Sequence, residues 1–184
     1  MKKSNIPNLI SGIRVLLIVP VVWYLLQGLY VEALILFVIA GLSDWLDGYL
    51  ARKYQWGSHL GGWLDPLADK AMQVSVYVTL TFLQLIPWWL LLAVMLRDVI
   101  IILGGLYYYY NIEKVNAAPS FVSKLNTFMQ ITLVIVLLIH NSVYVFDELV
   151  PELIIFTVLL TTLLSGLSYM FIWGRRAWKI KHET

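Results

Sequence analysis

Apolar residues dominate six stretches of the chain, at 8 to 29, 31 to 53, 59 to 84, 87 to 110, 120 to 141 and 150 to 173. Each is long enough to cross about 30 Å of hydrocarbon, which takes about 20 helical residues. The breaks between them hold ordinary turn chemistry: Gly28, then Tyr54 to Ser58 with Gly57, then Pro87, then Asn111 to Pro119, then Asn141 to Pro151. No soluble domain fits between them. The pattern therefore predicts an all-α, polytopic membrane protein with six transmembrane helices in one domain, residues 1 to 184. Pro66 falls in the first turns of the third stretch, where it either marks a restart of the helix or bends it. Both readings stand.

Composition strengthens the membrane reading: 60% of residues are hydrophobic and only 13% charged. Eight Trp and eleven Tyr suit the boundary where hydrocarbon meets water. The opening MKKSNIPNL resembles a secretory signal in its two lysines, but no small-residue cleavage site follows Tyr24 to Tyr30, so the first stretch reads as a retained span. Orientation follows from the basic residues, which cytoplasmic loops retain. Lys2 and Lys3 precede the first span, Arg52 and Lys53 end the second, Lys114 and Lys124 flank the start of the fifth, and Arg175, Arg176, Lys179 and Lys181 follow the sixth. The other side shows Glu32, the Ile86 to Trp88 turn, and Asp147, Glu148 and Glu152, which puts both termini in the cytoplasm. A net charge of +2 with no run of basic residues argues against nucleic-acid binding.

Four acids interrupt the apolar pattern of the second and third spans. Asp44, Asp47, Gly48 and Ala51 fall within about 100° of one another on a helix of 3.6 residues per turn, and Gly61, Asp65 and Asp69 follow at spacings of four. A short turn joins the two helices, so they are expected to be antiparallel neighbours whose acid stripes meet near the cytoplasmic boundary. An ionised Asp at helix centre costs roughly 2.5 to 3.5 kcal/mol on insertion, and Arg52 and Lys70 supply at most two nearby positive charges. Divalent cations would close that deficit. With no cysteine in the chain the ligands are hard oxygens, which points to Mg²⁺ or Mn²⁺, and clustered carboxylates allow two ions. Gly48, Ala51 and Gly61 have two open readings: tight packing between helices, or room for a base and a diphosphate beside the backbone.

These residues spell DxxDGxxAR, eight residues, then GxxxDxxxD, and the pattern resembles the signature of the CDP-alcohol phosphotransferase family at all eight of its fixed positions. The resemblance covers most of the chain and implies six helices with the motif across the second and third. It implies that Asp44, Asp47, Asp65 and Asp69 hold the metal ions and that Asp69 is also the general base. Asn8, Gly48, Ala51, Arg52 and Gly61 would contact the CDP moiety, Arg52 facing the diphosphate or stabilising the site. It further implies a homodimer in the bacterial inner membrane, with its site open to the cytoplasm.

Outside the signature, Asn5, Ile6, Pro7, Asn8 and Arg14 resemble the branch that makes anionic phospholipids from CDP-diacylglycerol. Within it, phosphatidylglycerophosphate synthases show GKxKT on the fifth helix, where this chain has Ser123, Lys124, Leu125, Asn126 and Thr127. SKLNT, with Arg97, Asp98, Tyr169, Gly174 and Arg175, is more similar to the cardiolipin synthases of the family, which imply phosphatidylglycerol as acceptor instead of glycerol 3-phosphate. Arg14, Arg97 and Lys124 are candidates to bind an acceptor phosphate. Against that, Arg97 can simply neutralise Asp98, and Arg14 can snorkel. His59 and His140 have no ligand spacing. A reading from another class, a small ion-coupled carrier, would need polar residues along the full membrane depth, whereas here they gather toward one side.

Overall fold

The computed structural model describes the backbone at residues 6 to 54, 61 to 111 and 120 to 183, and side chains at 12 to 43, 68 to 107 and 120 to 172. Among the described residues all regular structure is helical: α1 Ile6–Leu26, α2 Tyr30–Tyr54, α3 Gly61–Phe82, α4 Trp88–Asn111, α5 Phe121–His140 and α6 Leu149–Glu183. The six helices match the six apolar stretches. Among the described residues three are long and apolar enough to cross a membrane, at Trp88–Tyr107, Phe121–His140 and Leu149–Ile172. Within the described residues α1 and α2 contribute the apolar segments Gly12–Leu26 and Tyr30–Ser43. The protein is thus an all-helical membrane protein. Pro66 lies within a continuous α3 that starts at Gly61, so the helix does not restart at the proline.

Local chemistry sets the helix ends. Ser120 caps α5 by accepting the Ser123 N–H at 3.2 Å, and the Asp147 carboxylate caps α6 by accepting the Leu149 N–H at 3.0 Å. At the end of α1, Gly28 takes φ +73°, its N–H donates to Leu25 and the Leu29 N–H reaches back to Tyr24. This left-handed stop ends the helix at Leu26, three residues before the end read from hydropathy alone. α3 closes in the same way, with Gln84 at φ 62°, its N–H donating to Thr81 and the Leu85 N–H to Leu80. α6 differs most from the sequence expectation. It stays helical past the apolar part to Glu183, so the basic stretch with Arg175, Arg176, Lys179 and Lys181 continues the helix.

The chain divides into two compact units. The first holds residues 1 to 85 and 137 to 145, with α1 packed on both α2 and α3. Its core side chains recur at helical spacing: Val21 and Leu25 on α1, and Ala68, Met72, Val76 and Leu80 on α3. Residues 86 to 136 and 146 to 184 form the second unit, in which α4 packs on α6. Here the buried stripes are partly polar: Leu90, Val94 and Arg97 on α4, Ser123, Asn126, Gln130 and Leu133 on α5, and Val158, Thr161, Thr162 and Ser165 on α6. Large apolar side chains face outward instead, among them Leu16, Val19, Leu96, Leu103, Phe128 and Leu167, as expected of surfaces that meet lipid tails.

The two left-handed stops can be exchanged for one another. Nothing lies within 4 Å of a Cβ built on Gly28, so Gly28→Ala meets only backbone strain and should destabilise by about 1 kcal/mol. Gln84→Gly relieves the same strain and should stabilise by up to about 1 kcal/mol, both read from thermal unfolding in detergent.

Candidate active site

Backbone geometry places the signature on two helices of the first unit. Asp44, Asp47, Gly48, Ala51 and Arg52 lie in the second half of α2, and Gly61, Asp65 and Asp69 occupy the first two to three turns of α3. Both helices pack on α1. The side chains of Asn8, Asp44, Asp47, Gly48, Ala51, Arg52, Gly61 and Asp65 lie outside the described ones, so their expected roles are neither met nor contradicted. Asp69 is described. Its carboxylate is about half-exposed and accepts a hydrogen bond through Oδ1 from the Arg14 guanidinium of α1, which is almost completely buried. The next residue, Lys70, donates to Gln73 at 3.2 Å, one turn further along α3.

Arg14 therefore does not snorkel. Its head is 3% exposed and forms an ion pair across 55 residues of sequence, joining α1 to the acid-bearing helix. A half-exposed carboxylate offers oxygen to a hard cation, and the absence of cysteine leaves no competing thiolate, so the donor chemistry fits Mg²⁺ or Mn²⁺. Among the described residues no group of three acids or histidines stands together. Asp69 is the one member of the expected ligand set whose side chain is described.

In the second unit Arg97 is buried. Its Nε–H donates to Ser165 Oγ at 3.1 Å, one terminal nitrogen donates to Asp98 at 2.7 Å, and the other donates to Ser165 at 2.7 Å and to Ser123 Oγ. These bonds tie α4 to α5 and α6. The competing sequence reading, that Arg97 neutralises Asp98, is met, and the guanidinium is largely committed to its own helices. One turn below Ser123, Asn126 is fully buried, and its Oδ1 takes the hydroxyls of Thr162 at 2.9 Å and Thr161 at 3.0 Å. Lys124 is exposed. Tyr169 is buried, and its hydroxyl accepts the Ser120 N–H at 3.4 Å.

Sequence reasoning missed Thr161, Thr162, Ser165 and Gln130. A signal was present: Ser123, Asn126, Gln130 and Leu133 alternate at three and four residues, the spacing of one buried helix face. Polar residues at that spacing in an apolar helix mark an inward seam.

The first unit thus pairs a buried cation with a half-exposed aspartate on the helix that carries the second half of the signature, in an all-helical membrane protein. A model of the CDP-alcohol phosphatidyltransferase family matches residues 4 to 172, and the chain belongs to that family. It is 30% identical over 184 aligned positions to the CDP-diacylglycerol–glycerol-3-phosphate 3-phosphatidyltransferase of Bacillus subtilis, covering 90% of this chain and 93% of that one. The protein of the same name from Shigella flexneri is 31% identical over 177 positions, with the same coverage. Cardiolipin synthase (CMP-forming) of Rattus norvegicus is 47% identical over 85 positions, 45% of this chain and 28% of that one. The chain is thus a CDP-alcohol phosphatidyltransferase, a transferase of phospholipid biosynthesis.

Ser165 receives two N–H groups of a buried cation. Ser165→Ala should therefore cost about 1.5 to 3 kcal/mol in unfolding stability, the range for hydrogen bonds to charged groups. Thr157→Ala, at an exposed site on the same helix, should stay within about 0.5 kcal/mol of the parent in the same melts.

Proposed function

We propose that this enzyme transfers the phosphatidyl group of CDP-diacylglycerol to phosphatidylglycerol, forming cardiolipin and releasing CMP. The observation that carries the choice of acceptor is Asn126, a neutral amide buried and held by the Thr161 and Thr162 hydroxyls. Glycerol 3-phosphate brings a phosphate monoester with nearly two negative charges, which two ammonium groups would match. Phosphatidylglycerol brings a phosphodiester with one negative charge and is held by its acyl chains. An amide where a second lysine would stand suits the smaller charge. Lys124 is the cation assigned to that phosphodiester. A second reading, glycerol 3-phosphate as acceptor, is favoured by the full-length similarity to the two bacterial phosphatidyltransferases named above.

In this reading Asp44, Asp47, Asp65 and Asp69 hold two divalent ions, Mg²⁺ or Mn²⁺. Asn8, Gly48, Ala51, Arg52 and Gly61 receive the CDP moiety. Bound ions supply neutralisation of the diphosphate and of the departing CMP. The acceptor hydroxyl oxygen forms a bond to the β-phosphorus of CDP-diacylglycerol while the bond from that phosphorus to the bridging oxygen breaks. CMP leaves with the bridging oxygen, and the hydroxyl proton passes to Asp69. No covalent enzyme intermediate is required. The six helices each span the inner membrane of a bacterium as a homodimer, with both termini and the site on the cytoplasmic side, where the sequence concentrates its Lys and Arg.

Purified protein given CDP-diacylglycerol, Mg²⁺ or Mn²⁺, and either acceptor in parallel should release CMP at least about tenfold faster with phosphatidylglycerol, equivalent to about 1.4 kcal/mol of discrimination. Release with glycerol 3-phosphate alone would reverse the acceptor assignment. Asp69→Asn should keep the fold and CDP binding and lose turnover by about 10²- to 10⁴-fold, the contribution of a positioned general base. Normal turnover in that variant removes Asp69 from the role.

A further inference from the structure

From the ion pair between α1 and α3 we infer that Arg14 is a positioning residue that aims the Asp69 carboxylate, and not a binder of the acceptor phosphate. The inference rests on the reading of Asp69 as the proton acceptor.

Exposure is unequal across the pair. Arg14 is 3% exposed and Asp69 45%, so the cation is fixed among packed helices and the anion is the accessible partner. An arginine recruited to bind an incoming phosphate is expected to present its donors to the space the substrate enters. Arg14 instead directs a terminal nitrogen to Asp69 Oδ1. α1 packs on α3, and Val21 and Leu25 lie on the same buried face of α1 as Arg14, at seven and eleven residues' distance. The guanidinium is therefore carried by a helix whose own position is set by packing. A carboxylate has two oxygens and about four lone-pair sites, so a bond to one oxygen constrains its rotation without exhausting its capacity to accept.

The arrangement matters because a general base works only at hydrogen-bond distance from the proton it removes. Misplacing a reacting group by about 1 Å can lose about 10²-fold in rate. The Asp69 carboxylate is reached through two side-chain torsions, and the bond acts on both. The Arg14 bond selects one orientation. A buried Arg with no counter-charge is costly in an apolar setting, so the pair also keeps the Asp69 carboxylate close to α1.

The test compares Arg14→Gln, Arg14→Lys and Asp69→Asn in the full chain, with initial rates measured over both substrates. Arg14→Gln should lower kcat by about 10²-fold and leave KM for the acceptor and for CDP-diacylglycerol within about twofold, the signature of an interaction that acts in the transition state. Arg14→Lys should recover at least about tenfold of that loss, because it restores a charge at the same place. A readout independent of turnover is thermal unfolding in detergent. Asp69→Asn strands a buried cation, so the Arg14→Gln/Asp69→Asn double variant should melt no lower than Asp69→Asn alone. A raised KM for the acceptor with kcat retained would make Arg14 a substrate binder and overturn the inference. Additive losses in melting temperature, an unchanged kcat in Arg14→Gln, or loss of CDP-induced stabilisation in both Arg14 variants would also overturn it. Turnover in Asp69→Asn defeats the underlying reading of the base. An inactive Asp69→Asn with an unaffected Arg14→Gln defeats only the assignment of Arg14.

Discussion

Charge compensation in an apolar surrounding is the constraint from which the rest of this molecule follows. A bilayer gives an ionised side chain no water to turn to, so each one must find its partner within the protein. Arg14 finds Asp69, and Arg97 finds Asp98, Ser123 and Ser165. These partners come from separate helices, so satisfying the charge also fixes which helices lie together. α1 is tied to α3 in one unit, and α4 is tied to α5 and α6 in the other. Packing of ordinary apolar stripes supplies the remainder, with Val21 and Leu25 on α1 and Met72, Val76 and Leu80 on α3 filling the first unit.

The same constraint explains how catalytic groups coexist with a membrane fold. Acids on α2 and α3 carry a desolvation penalty that a soluble enzyme would not meet, and the reaction supplies a reason to retain them. A metal-dependent transfer from a nucleotide diphosphate needs clustered oxygen ligands and one proton acceptor. In the proposed reading the signature would supply both, from two helices consecutive in the chain. The second unit adds a buried seam of amide and hydroxyl groups beside the Arg97 to Asp98 pair.

Helix number was legible in the sequence because hydropathy and turn residues are local properties. The ends of α1 and α3 were less so: the left-handed stops at Gly28 and Gln84 cut the helices shorter than apolar character alone suggests. The extent of α6 was missed for the opposite reason. Arg, Lys and Ala favour helix as well as apolar residues do, and hydropathy does not register that. The signature acids could be read from spacing, since one helix face is a short-range pattern. The Arg14 to Asp69 bond could not, because periodicity assigns a residue to a face without saying what stands opposite. Asn126 was noticed only as a missing lysine, and its threonine partners on α6 went unseen for the same reason.

The Asn126 amide and its two threonine hydroxyls have a consequence for an enzyme that lives among anionic lipids. Such lipids gather counter-ions and protons at the surface, and contacts that work through net charge are screened more strongly as the local ionic strength rises. A carboxamide carries no proton that comes or goes in the physiological range, and a buried dipole is scarcely screened. The fit of this seam is therefore the same in a sparsely charged bilayer as in one crowded with phosphate headgroups.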